Sequence, residues 1–160
     1  MADLPSDPAA SAAIRFLSAR HRDYTKALDG LDERGLNWRP GTETNAIFEI
    51  LTHALDEERR VITAISGTMV PPDHHFNVRG TPAQAAARIQ QADADVAANL
   101  AGLNTADLGR EVSPYGRPLT VVLALSVAFG HTAEHMGHIQ LTRQLWDQYG
   151  KTGMLPGSEA

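Results

Sequence analysis

Three histidines in one short stretch set the chemistry open to this sequence. In Phe129-Gly-His-Thr-Ala-Glu-His-Met-Gly-His-Ile-Gln140, His131, His135 and His138 stand four and then three residues apart. On an α-helix such positions share one face, within an arc of roughly 60° at about 100° per residue. Imidazole is the commonest metal-ligating side chain, and two of them four residues apart can grip one ion. The stretch is therefore expected to carry most of a transition-metal site, with at least one ligand from elsewhere. His53, in Leu51-Thr-His-Ala-Leu-Asp-Glu-Glu58, is the candidate. The competing interpretation is a set of hydrogen-bonded core histidines, and spacing alone does not choose between the two.

The composition narrows the donors. The 160 residues include no cysteine, which excludes disulfides, thiolate zinc sites and a cysteine nucleophile together. Any metal must be held by nitrogen and oxygen, and any thiol chemistry must import its sulfur from a small molecule. A formal net charge of -5 and scattered basic residues argue against nucleic acid as a partner. No apolar run approaches the ~20 residues of a membrane span. The first residues, Met1 to Pro8, lack the basic and apolar parts of a signal peptide, so the expected address is cytoplasmic.

The elements that must position the histidines read as four helices separated by Pro/Gly loops. The first is expected over about 8–29, capped by Ser6 or Asp7, with Pro8 in its first turn. Its apolar stripe of Ile14, Leu17, Tyr24 and Leu28 includes His21, which is expected to be buried with a hydrogen-bond partner. After a loop at Pro40-Gly41, where Trp38 is expected to plug the bundle end, the second runs over about 44–66 and ends at Gly67. Glu58 falls near the centre of its apolar stripe, a costly place for an unpaired carboxylate. His53 falls at the stripe's edge, which suits a site opening at a groove between helices.

His74 and His75 are read as solvated loop residues. The third helix starts at the Thr81 cap with Pro82 in its first position and runs to about 101. Residues 102–118 read as turns that fold over the bundle end and wall the site. The fourth helix extends from about 118–120 to Tyr149. It is apolar on two sides: Val121, Val122, Leu125, Phe129 and Ile139 on one, Leu123, Val127, Leu141 and Leu145 nearly opposite. Such a helix is central, or is covered on one side by a second subunit. The pattern predicts an all-α chain, a four-helix bundle forming a single domain over 1–160, with its core in about 8–149 and a flexible tail at 151–160.

Two pieces of this sequence resemble the DinB-like superfamily. One is Gly30-Leu-Asp-Glu-Arg-Gly-Leu-Asn-Trp-Arg-Pro40, then Asn45-Ala-Ile, then the helix bearing His53 and Glu58. The other is His131-x-x-x-His135-x-Gly-His138, where many members carry Gln at the last position. The resemblance covers about residues 10–149. It implies an up-down-down-up bundle, often dimeric, with His53, His131 and His135 as metal ligands. His138 is left as a fourth ligand, a group behind the ligands, or a substrate contact. A frame shifted by three residues, Glu134 with His138, fits less well, because Gly137 and the downstream Leu-x-Arg align with the first.

Three neutral imidazoles with an open position match a catalytic rather than a structural site. Zinc or nickel suits the set; iron(II) is compatible, although its usual facial triad includes a carboxylate. The resemblance implies a metal-dependent transferase of a small molecule that uses a low-molecular-weight thiol, activated on the metal as a thiolate. Within that expectation Glu58 orients a ligand imidazole and His138 is a general base or a substrate contact. The alternatives are a hydrolase with water as nucleophile and a non-catalytic dimeric binding or stress-response module.

Overall fold

A computed structural model describes residues 5–68 and 78–153. Four long helices, α1 (Pro8–Leu28), α3 (Ile47–Ser66), α4 (Pro82–Leu100) and α5 (Val121–Leu145), are joined by a single turn, α2 (Glu33–Leu36), and a short hairpin. The hairpin pairs β1 (Glu111–Val112) antiparallel with β2 (Leu119–Thr120). α5 continues into one π-helical turn, Trp146–Gly150. His74, His75 and the tail from residue 154 lie outside the described residues. Among the described residues no helix is long and apolar enough to cross a membrane.

The helix starts follow from local chemistry. The Asp7 carboxylate accepts from the Ala9 N–H, and Pro8 needs no partner for its nitrogen. Thr81 and Gln84 cap α4 reciprocally. α3 begins at Ile47, later than the sequence suggests, because Thr44 is committed elsewhere. Its hydroxyl accepts from the Gly41 N–H and donates to the Gly41 carbonyl, closing the loop on itself. Glu49 then closes the helix start by accepting from the Ala46 N–H. Gly67, at φ 81°, ends α3 in the left-handed region that favours glycine.

Each long helix packs on two others in the cyclic order α1, α4, α3, α5. Two apolar clusters show the directions. The first joins Leu17 near the middle of α1 and Ala10 at its start with Ile65 at the end of α3, Leu100 at the end of α4 and Val121 at the start of α5. The second joins Tyr24 late in α1 with Ile47, Ala85 and Ile139. α1 and α5 therefore run together, and α3 and α4 run against them, which is the up-down-down-up order.

Between the two clusters lies a polar layer. His21 is fully buried between two carboxylates: its Nε2 is 2.9 Å from Glu58 Oε1, and its Nδ1 is 2.7 Å from Asp93 Oδ1. The Ser18 hydroxyl donates to the same Asp93 oxygen, and the Tyr24 hydroxyl donates to the Thr132 carbonyl. This layer ties α1, α3, α4 and α5 together at mid-height. Burial alone would lower the pKa of His21, but its two acidic partners outweigh that, and the net shift is upward.

Residues 102–118 do fold over one end, but they do not wall the cavity described below. Leu103 and Val112 join the first cluster, with Leu108 and Tyr115 packed against it. Their apolar side chains are drawn to the end where α1 starts and α3 finishes. Trp38 is half-buried and packs on Trp146, with ring centroids 5.8 Å apart.

Candidate metal centre

α3 and α5 bring three histidines together. One ring nitrogen each from His53, His131 and His135 can be chosen so that all three lie within 4.8 Å of one another. The Nε2 atoms of His131 and His135 are 3.0 Å apart. The His53 ring centroid is 5.0 Å from that of His131 and 4.9 Å from that of His135. A tetrahedral ion with bonds of about 2.0–2.1 Å holds its nitrogen ligands about 3.4 Å apart. The cluster is thus near the size a single divalent cation needs, and its all-nitrogen donor set suits a borderline metal.

Helix geometry produces this convergence. His131 and His135 are one turn apart on α5 and half-buried, while His53 sits on the exposed edge of α3 facing them. The registration of α5 is fixed further along by Arg143. Its Nη1 donates to the carbonyls of Ala27 and Asp29, capping the end of α1.

The electrostatics favour ligands without protons to lose. Burial pushes the pKa of His135 down to about 4, helped by the charges of His131, His53 and His138. Burial, then His53, lowers that of His131 as well. Both imidazoles are neutral at pH 7, the form that binds a metal.

His138 stands just behind this set. Its Nδ1 lies 3.3 Å from the Nδ1 of His135. Nε2 of His135 faces His131, so its Nδ1 is the nitrogen turned away from the cluster. A hydrogen bond on that far nitrogen fixes tautomer and ring orientation. Glu58 does not take that role. Both of its oxygens are within 3.2 Å of His21 Nε2, and it is buried in the polar layer. Its inward position on α3 suggests a partner in the core, and that partner comes from α1.

The cluster opens into a cavity of about 440 Å³ between α3, α5 and the loop before α3. His53, His135 and His138 line it, with Ile50, Asp56 and Leu141. The walls outside the histidines carry little signal in the sequence. Asp56, three residues beyond His53 on the same helix, is the one that spacing could have suggested. The loop wall, including Pro40 and Glu43, is held by the residues around it. Asn37 donates to the Gly80 carbonyl and accepts from the Gly80 N–H, at 2.8 and 2.9 Å. Arg39 donates to the buried Glu49 at the start of α3.

The sequence profile of the DinB superfamily matches residues 16–139. The chain belongs to the DinB superfamily. Among solved structures, a conserved protein from Enterococcus faecalis superposes with a TM-score of 0.72 at 15% identity, covering 86% of this chain and 96% of its own. A DinB-like protein from Bacillus subtilis gives a TM-score of 0.68, also at 15% identity, covering 83% of this chain and 90% of its own. At such identities the likeness concerns the fold. No curated protein matches the chain significantly.

Proposed function

We propose that this DinB superfamily chain acts as a single-domain, metal-dependent enzyme, most simply a transferase that uses a low-molecular-weight thiol as its nucleophile. The observation that carries this reading is the three-histidine set opening directly into a cavity large enough for a small molecule. His53, His131 and His135 would hold a divalent cation, with zinc or nickel suited to the donor set. When bound, such a cation lowers the pKa of a coordinated thiol or water, supplying a nucleophile at neutral pH.

The chain's own residues do the rest. His138 is a positioning residue: it accepts the Nδ1–H of His135 and keeps Nε2 of that ring turned toward the cluster. Glu58 serves the fold, holding His21. Ile50 and Leu141 offer an apolar surface beside the histidines, which excludes water from one side of a bound substrate.

Elemental analysis of the untagged protein beside His135→Ala tests this reading. Near-stoichiometric zinc, nickel or iron that disappears in the variant is the expected result. Absence of metal from both, even after metal addition and dialysis, overturns it. Turnover of an electrophile that requires added thiol identifies the transferase; ester hydrolysis without thiol identifies water as the nucleophile.

A further inference from the structure

Beyond His53, α3 carries a pair of charged side chains on the same face. His53, Glu57 and Arg60 stand four and then three residues apart, the spacing that stacks side chains along a helix. Glu57 is buried, and Arg60 Nη2 lies 3.1 Å from its Oε1, with only 14% of the Arg60 side chain and 11% of the Glu57 side chain exposed. The Arg60 guanidinium in turn lies over the Tyr115 ring, 5.4 Å from its centroid. Tyr115 belongs to the segment folded over the end of the bundle, so that segment touches the ion pair although it does not wall the cavity.

The antiparallel run of α3 and α5 fixes where this pair stands. The His53 ring faces His131 and His135 about equally, at 5.0 and 4.9 Å between centroids. One turn further along α3, about 6 Å at 1.5 Å per residue, is one turn nearer the start of α5. Glu57 is thus on the His131 side of the cluster, and its charge acts on the His131 ring. Arg60 is almost a turn further still, so along the helix Glu57 comes between Arg60 and the histidines. A nearly buried ion pair gains little over apolar packing of similar volume. Stability alone therefore does not account for its place beside the histidines.

We propose that Glu57 is a positioning residue of the metal centre, whose carboxylate, fixed by Arg60, supplies beside His131 the negative charge that the three imidazole ligands lack. The proposal rests on the metal-dependent reading and adds to it a residue that does not ligate the metal. Imidazoles bring no charge to offset that of a divalent cation. A carboxylate in a poorly solvated place near a ligating imidazole is screened less than a surface one, favours the bound cation and raises the basicity of the ligand. The guanidinium of Arg60 holds the carboxylate in place but repels the cation. The two members of the pair therefore act on metal affinity with opposite signs, which a pair that only stabilises the fold would not do.

The test is the zinc affinity of the untagged full chain, measured by competition with a chromophoric chelator at neutral pH and low ionic strength. Glu57→Gln keeps the size of the side chain, removes its charge and should bind zinc about tenfold more weakly. Arg60→Gln should bind it about threefold more tightly, the scale of one partly screened charge. Glu111→Gln changes net charge as Glu57→Gln does, on an exposed residue away from the histidines, and should leave the affinity unchanged. Circular dichroism of each variant confirms that it folds.

Unchanged affinity of Glu57→Gln, or weakening by both Glu57→Gln and Arg60→Gln, overturns the proposal. Should Glu57→Gln not fold, Arg60→Gln decides alone, and affinity at or below that of wild type overturns it. Zinc bound by wild type and lost by His135→Ala, with Glu57→Gln unchanged, overturns this inference and leaves the metal-dependent reading standing. No zinc bound by wild type overturns both.

Discussion

The Nδ1 atoms of His135 and His138 face each other at 3.3 Å, on the side of the His135 ring away from His131. With a metal on Nε2 of His135, its Nδ1 would carry the proton and His138 would accept it. His138 would then act through the proposed ligand His135 and not on the metal directly. Loss of such a partner costs about 10- to 100-fold in metal affinity. His138→Ala should retain metal but release it to a chelator at correspondingly lower competitor concentration. His138→Gln should recover most of the loss, since an amide oxygen can accept the same proton. His135→Ala should bind no metal. Equal affinity of His138→Ala and wild type would remove the positioning role.

The buried His21–Glu58 pair gives a stability prediction that metal content does not share. Removing one member of a buried pair leaves the other without compensation and costs about 3–5 kcal/mol. Glu58→Ala should be destabilised on that scale in urea unfolding. Replacing both by Leu should return most of the stability, because paired buried charges often gain little over apolar packing. If Glu58→Ala folds but loses metal selectively, Glu58 belongs to the metal centre after all.

The same pair sets a pH dependence. The pKa of His21 is raised in the folded chain, burial opposing and Glu58 and Asp93 outweighing it. That of Glu58 is raised by burial, with His21 opposing. Both groups bind protons more tightly folded than unfolded, so their contribution falls as pH rises. For His21 it is fully present below the ordinary value of 6.5 and lost as pH passes its higher folded value. For Glu58 the loss begins above its ordinary 4.5. Relative to the double Leu variant, wild type should therefore lose stability as pH rises from the ordinary 4.5 of Glu58 past the ordinary 6.5 of His21. A flat difference across that range would show that neither group titrates with folding.

The sequence made the histidine cluster legible because helical spacing is a local property. His131 and His135 must share a face wherever the helix lies, and His53 on the edge of its stripe had to look into a groove. Glu58 was legible as an inward carboxylate needing a partner, yet not as the partner of His21. That contact joins α1 to α3 across 37 residues, and no periodicity encodes it. α2 and the hairpin strands, four and two residues long, are too short to show a period. Just before the hairpin, a tertiary bond from Arg110 Nη2 to the Ile65 carbonyl, at 2.8 Å, ties the chain to the end of α3. The cavity wall was illegible for the same reason, since Glu43 and Leu141 meet only after the chain has folded.

Asn37 shows how such a wall is held, and what losing it costs. Its amide satisfies both backbone groups of Gly80, and both residues are buried. Asn37→Ala leaves that N–H and carbonyl unpaired, at about 1–3 kcal/mol for each buried group. Gly80→Ala should be worse, because a Cβ there would sit 2.1 Å from the Phe48 ring. Both should lower the urea midpoint, and Asn37→Ala should leave metal content unchanged. An Asn37→Ala protein as stable as wild type would show that water replaces the amide.

Whether the chain forms a homodimer is the last outcome to check, and α5 gives the place to test it. Leu123 is 49% exposed and Val127 38%, one turn apart near the start of α5. At about 100° per residue these two positions lie about 40° apart, one small exposed apolar patch. Burying it against a second copy would remove apolar surface from water at about 25 cal/mol per Å². If a two-fold contact buries this patch, glutamate at Leu123 and Val127 places like charges across it and should convert the dimer to monomer in sedimentation velocity. The helices should remain folded, because neither side chain enters the core clusters. A wild-type chain that sediments as a monomer at high concentration would leave the patch to another partner.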